Sequence, residues 1–584
     1  MIDLNLPNVW GPGRLFAFSG LDGTNSFKDS IAATLTADKI GMIFHTPVKR
    51  ELSFSLKNVD DIEYEIVASD IIKIQLSVKN YEKKMPLLVV FCQQDVVAGL
   101  TSEFAIPVLH CEEPGYVKNE NGLIVHSTLH DFTAFKTFKN GENIHFIFSY
   151  SNISKELAIE KIEKNINIDI NYMVQKKINF FNSLPRVKGL DELTEKTLYN
   201  CFSVMKTQVY TPEGQFTTRW TTPERLPHRK LWLWDSVFHS IGNKYISIDL
   251  AVDSIKAVFA SQREDGFIPH MSAPPMQCSG ITQTPILAWG TYKLYEYSGK
   301  INILSETYNS LKKYLEWNIK NRDNNKNYLF EWWINKDMPE NRCDECGMDN
   351  SPRFDNNTEM DCVDFSSFMA NEARFMAKTA EKIGLKDDIA YWEDIYLKIK
   401  TAINTFLWDE EDKFYYDRKT SDCKFRKIKT VASFSPIFAG VCEKYHLNFL
   451  VKHLNDKKTF STEFPVPSVS VSEPSFELDL WRGPVWINYN YMISHGLKEY
   501  GVDWLAEQII SKTIKVLSFW YKHTGTLYEY YDPFNQVPPS SLNRKGKNIG
   551  IYDFKVKMQN IRDYGWTCSL YAAMILENNH LWKD

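Results

Sequence analysis

The stretch Asp364–Gly384, DFSSFMANEARFMAKTAEKIG, sets Phe365, Phe368, Met369, Phe375, Met376, Ala380 and Ile383 at helical intervals. With 3.6 residues per turn these side chains share one stripe. The closing glycine accepts the left-handed backbone that ends many helices. The next segment repeats the pattern with Ile389, Trp392, Ile395, Ile399, Ile403 and Phe406. Upstream, Leu304, Tyr308, Leu311, Leu315 and Ile319 form a third stripe, and Trp504, Leu505, Ile509, Ile514 and Leu517 form a fourth downstream. Long helices joined in pairs from residue 185 to 584 predict a mainly α helical toroid. Inner helices would surround a pocket, outer helices would shield them, and the loops at one mouth would carry the motifs.

Before residue 185 the period is two. Leu52, Phe54 and Leu56 alternate with polar residues, as do Ile72, Ile74, Leu76 and Val78, and Ile144, Phe146, Phe148 and Tyr150. Asn121-Gly122 and Asn140-Gly141 tolerate the positive φ of tight hairpins. Residues 1–180 are therefore predicted as strands in an antiparallel β-sandwich that supports a helical catalytic domain over 185–584. A chain of 584 residues exceeds one ordinary core, in keeping with two domains.

A net charge of -5 and the lack of a basic block argue against a nucleic-acid partner. The longest apolar run, near Met85 to Cys92, is too short to cross a bilayer. The start, MIDLNL, lacks the basic and apolar parts of a signal peptide, so a cytoplasmic location is expected. The ten cysteines then read as reduced thiols. Cys343 and Cys346 have CxxC spacing, with Cys362 further on, but a zinc site needs a matching second pair, so no metal or cofactor is expected. The aromatic surplus, 16 Trp and 29 Tyr, suits clefts that stack on the C–H faces of sugar rings.

Two acids stand out. Asp349 lies in GMDNSPRF, a loop punctuated by Gly347 and Pro352, with Arg353 four residues on and Trp332, Trp333 and Phe354 nearby. As a bare loop aspartate it reads as a turn or cap. Walled by aromatics, it would hold its proton for a leaving oxygen. Glu529 lies in YEYYDP. It reads either as a surface glutamate or as a base holding water, while Asp532, before proline, reads as a turn former. One acid that keeps its proton and one that stays ionised are what glycosidic hydrolysis requires.

In KLWLWDS, Trp234 would stack on a sugar and Asp235 would grip two hydroxyls. The plainer reading is a buried aromatic with Asp235 as N-cap of a helix from Ser236. In WRGPVWIN, Gly483 and Pro484 mark the approach to a helix, which puts Trp481 and Arg482 in the preceding loop. Arg482 there would bind hydroxyls or pair with a structural acid. Gln283 and the run Gln262–His270, QREDGFIPH, are further loop positions.

Taken together, WLWDS, QREDGFIPH, GMDNSPRF, WRGPVWIN and YEYYDP resemble glycoside hydrolase family 63 over roughly residues 190–580, with the family 37 trehalases more distant. The family usually reads Ser-Gln-Pro-Pro where this chain has Thr282-Gln283-Thr284-Pro285. The resemblance implies an (α/α)6 barrel and inversion at an α-linked glucoside or mannoside. Asp349 would be general acid and Glu529 general base. Trp234, Asp235, Arg353, Arg482 and Trp486 would line the pocket, with Gln283 and Trp481 beside them. An oligosaccharide, a trehalose-like sugar and a glycosyl-glycerate all fit. The last would use a rim cation such as Arg263, Arg342 or Lys230. Phosphorolysis on the same toroid would dispense with the second carboxylate, and a catalytically silent sugar-binding protein would lack or displace one acid.

Overall fold

The computed structural model describes residues 4–113, 116–120, 122–355, 358–547 and 559–582. Strands β1 (Leu15–Ala17), β2 (Ala32–Leu35), β3 (Gly41–Phe44), β4 (Arg50–Leu56), β5 (Val59–Val67), β6 (Ile71–Val78) and β7 (Met85–Gln93) come first. They are followed by β8 (Val96–Thr101), β9 (Ala105–Cys111), β10 (Tyr116–Glu120), β11 (Leu123–Ser127), β12 (Phe132–Asn140) and β13 (Asn143–Ser151). Two antiparallel sheets result, in the orders β1-β2-β3-β4-β9 and β10-β11-β12-β13-β8-β7-β6-β5. Alternation decides what each face covers. Ile72, Ile74, Leu76, Phe146 and Phe148 pack between the sheets against Phe16, Phe44 and Leu52. Their neighbours Ile71 and Ile147 point the other way, into the core shared with the helices.

The β12–β13 hairpin closes on the pair Asn140 and Asn143, so its turn is centred on Gly141 (φ 62°) and Glu142, one residue past the expected dipeptide. The Asn121 of the other expected turn lies outside the described residues. The strands stop at Ser151, earlier than expected. From there α1 (Lys155–Asn165) and α2 (Ile170–Asn182) pack back on the sheet, each begun by a side-chain cap, Ser154 and Asp169.

The helical region continues with α3 (Glu192–Thr207), α4 (Leu233–Asn243), α5 (Ile248–Phe259), α6 (Leu287–Ser298), α7 (Asn302–Arg322), α8 (Val363–Ile383) and α9 (Lys386–Phe406). It ends with α10 (Ser435–Phe438), α11 (Lys444–Asn455), α12 (Ile487–Glu499), α13 (Asp503–Thr524) and α14 (Gly565–Glu577). The four stripes read from the sequence lie on α8, α9, α7 and α13, and Gly384 (φ 81°) ends α8 as a left-handed cap. Trp504, the first residue of its stripe, faces solvent instead. Helices α4, α6, α8, α10 and α12 each pack against the next in that order, α12 packs against α14, and α14 returns to α4. Among the described residues, no helix is long and apolar enough to cross a membrane.

Candidate active site

Loops between the helices surround a cavity of about 370 Å³. Asp349 and Glu529, 180 positions apart in sequence, both line it, together with Trp234, Asp235, Gln283, Trp481 and Trp486. Arg353 and Arg482 are absent from that lining. Arg353 is buried at the start of α8, where Nη2 donates to Asp364 Oδ2 at 2.6 Å and Nη1 to Asp417 Oδ2 at 2.9 Å. Asp417 also accepts from Val363 N, so this arginine neutralises two acids that hold a helix terminus. Arg482 is likewise held by structural acids, Asp355 at 2.9 Å and Glu477 at 3.0 Å. The expected aromatic wall also differs. Trp332 stacks on Phe365 at 3.7 Å and donates to Asp364. The ring against the Asp349 loop is Trp234, so close that a Cβ on Gly347 would lie 2.3 Å from it.

Each wall has a local cause. Helix α4 starts at Leu233, three residues before the expected Ser236, so Asp235 sits in its first turn and Trp232 is the N-cap. Gln283 Oε1 accepts from Trp234 N at 3.0 Å and satisfies one of the free first-turn amides. Trp481 and Trp486 stack at 3.8 Å and 4°. Trp566 completes the floor, edge-on to Trp234 at 5.2 Å. Tyr531 exchanges backbone hydrogen bonds with Val485, and Glu529 N donates to Ile561 O, so isolated bridges on both sides fix the bend at Glu529. Asp532 accepts from Phe534 N, Gln536 N and Val537 N and closes the turn expected of it.

Burial raises the pKa of Asp235, Glu529 and Asp344 alike. Burial and the charges of Glu224 and Glu529 push the pKa of Asp235 well up. Burial also raises that of Glu529, against the lowering pull of Arg544, which is ion-paired to it. The next residue, Lys545, pairs with Asp349 at 3.0 Å. The two cations occupy a tight turn, Arg544–Lys547, with positive φ at Lys545 (55°) and Gly546 (75°). Asp479 Oδ2 anchors it by accepting from Gly546 N at 2.9 Å, and the same oxygen accepts from Asn350 Nδ2 at 3.2 Å. Asn350 Oδ1 in turn accepts from Trp481 N. Asp344, also in the lining, is pushed up to about 7 by burial and by Asp349. His270, the end of the QREDGFIPH run, lines the cavity, and burial takes it down to about 4. Arg263 from the same run is instead exposed and paired with Asp265.

Glu224, Asp344, Arg544, Lys545, Tyr564 and Trp566 line the cavity although no sequence signal marked them. Arg544 and Lys545 had one available sign: the cationic pair sits beside a glycine suited to a tight turn. Among the described residues, one group of three potential metal ligands lies close together, Cys362, Asp364 and Asp417, with the Arg353 guanidinium bonded to both carboxylates. Cys343 and Cys346 are buried, and Cys346 Sγ donates to Cys343 O.

Comparison with known proteins adds an independent finding. A family model described as the mannosylglycerate hydrolase MGH1-like glycoside hydrolase domain matches residues 228–567, more than half of the chain. The chain belongs to this family. It is 28% identical to an uncharacterised protein of Borreliella burgdorferi over 300 residues, 49% of this chain and only 60% of that protein. It is 23% identical over 397 residues to mannosylglycerate hydrolase MGH1 of Selaginella moellendorffii, covering 54% of this chain and 78% of the relative. Among solved structures, a family 63 mannosylglycerate hydrolase from Thermus thermophilus with glucose aligns at a TM-score of 0.52 and 21% identity, over 65% of this chain and 99% of that one. A bacterial glucoamylase with acarbose aligns at 0.59 and 12% identity, over 99% of this chain and 97% of the other. At such identities these likenesses concern the fold, and the second extends it across the N-terminal sheets.

Proposed function

We propose that this family member is an inverting glycoside hydrolase that cleaves an α-linked glucoside or mannoside. One observation carries the reading: Asp349 and Glu529 line a single cavity floored by tryptophans. Asp349 gives a proton to the glycosidic oxygen. Glu529 takes one from the attacking water, through an oxocarbenium-like state, and the carboxyls then need about 6.5–9.5 Å between them. Trp234 and Trp486 stack on the sugar, Asp235 holds hydroxyls, and Gln283 and Trp481 shape the walls. The cyclic order of helix contacts supports an (α/α)6 toroid as catalytic domain over residues 185–584, with residues 1–180 as support. The relatives named as mannosylglycerate and glucosylglycerate hydrolases favour a glycosyl-glycerate among the substrates to be tested.

A panel of α-glucosides and α-mannosides followed by proton NMR tests this directly. The first product resonance is expected to be the β-anomer. Initial release of the α-anomer would refute inversion, and sugar phosphate formed on adding phosphate would favour a phosphorylase. Asp344 is the alternative proton donor, because its pKa near 7 suits that task. Glycosyl fluorides need little leaving-group protonation, so the true donor's Asn variant retains far more activity on fluorides than on alkyl glycosides. Asp349→Asn is expected to behave this way and Asp344→Asn is not.

A further inference from the structure

Glu224 plays no part in the mechanism above, yet its position is as constrained as that of either acid. It is 2% exposed and lines the cavity with Asp235 and Glu529. Oε1 is used, accepting from His228 N at 3.3 Å and bonded to His228 Nδ1. Oε2 is buried with no hydrogen-bond partner among the described residues. A carboxylate oxygen withdrawn from water with no donor is costly, and a ligand that brings a donor relieves that cost.

The segment that carries Glu224 is held from behind by the β1–β2 connection and the end of α3. The adjacent Arg225 is fully buried and donates to Phe18 O at 2.9 Å, Thr207 O at 2.7 Å and Ser30 Oγ at 2.9 Å. Pro223 O accepts from Gly565 N at 2.7 Å, which ties the other flank to α14. These ties fix the backbone on both sides of Glu224, and the bond to His228 holds its side chain. We propose that Glu224 is a further substrate-binding residue whose Oε2 accepts a hydrogen bond from one hydroxyl of the sugar, and that the β1–β2 connection and α3 fix its backbone for this purpose. This rests on a sugar occupying the cavity, as the hydrolase reading requires.

The test titrates the whole protein and Glu224→Gln with D-glucose, D-mannose and their 2-, 3-, 4- and 6-deoxy forms, read by tryptophan fluorescence. Wild-type protein should lose about 10-fold in affinity for one deoxy sugar, the size expected when a charged acceptor loses its donor. Glu224→Gln should bind the parent sugar about 10-fold more weakly and no longer discriminate against that same deoxy form. Glu224→Ala, with its melting curve checked, should behave alike. Equal discrimination by wild type and both variants overturns the proposal while leaving the hydrolase reading intact. If wild-type protein neither binds these sugars nor hydrolyses any α-glycoside, the hydrolase reading itself falls and this proposal with it.

Discussion

Two arginines pair with buried acids in different settings, Arg353 at the start of α8 and Arg544 in the cavity lining. Arg353→Met leaves Asp364 and Asp417 buried and unpaired, so urea denaturation should show a loss of about 3–5 kcal/mol. Arg544→Met removes the charge that opposes the burial-raised pKa of Glu529. A base must be deprotonated to act, so the acidic limb of kcat/KM should move to higher pH, and an unmoved limb would separate Glu529 from the base role. Asp235→Asn should abolish most turnover yet raise stability at pH 7. The folded pKa of Asp235 lies well above its unfolded value near 4. Its contribution is therefore full below pH 4 and lost as pH rises toward the folded pKa, so the thermal gain of the variant should vanish in acid. In the sequence Glu529 stands out because Tyr528, Tyr530 and Tyr531 surround it, and Asp349 because Gly347 and Pro352 punctuate its loop. Arg544 and Lys545 meet those acids only through the fold, since residues 15 and 196 positions away in sequence carry no shared local pattern. Arg353 misled for the complementary reason: nearness to Asp349 in sequence says nothing about the direction its side chain takes.

At the scale of one element, two glycines make a controlled pair. Gly384 ends α8 at φ 81°, Gly546 completes the Arg544–Lys547 turn at φ 75°, and a Cβ would meet nothing within 4 Å at either. Alanine at each position should cost about 1 kcal/mol of backbone strain by denaturant titration. Only Gly546→Ala should also depress kcat, because its turn presents Arg544 and Lys545 to the two acids. Equal kcat in both variants would show that the turn plays no part in turnover. Amphipathic elements were the readable ones. Helices α7, α8, α9 and α13 each keep a polar face, so their stripes appear at a period of 3.6. Helix α14 is buried all round from Gly565 to Ile575, so it leaves no stripe to detect.

At the scale of the molecule, the sheets and helices share one core: Ile71, Leu88, Val90 and Ile147 of the sheet cluster with helical residues such as Leu198, Phe202 and Val204. Scanning calorimetry of the full chain should therefore show one cooperative transition. Two resolved transitions would mean that the sandwich folds apart from the helices. This union was hidden in the sequence. Continuous apolar runs such as Leu87–Cys92 signal burial on both faces without naming what covers each. The Asp479 carboxylate carries the same lesson across the chain, since one of its oxygens joins Asn350, beside the first acid, to Gly546, beside the two cations. Three stretches remote in sequence thus form one inheritable unit. A chimera with a relative is expected to keep this linkage only when all three stretches are exchanged together.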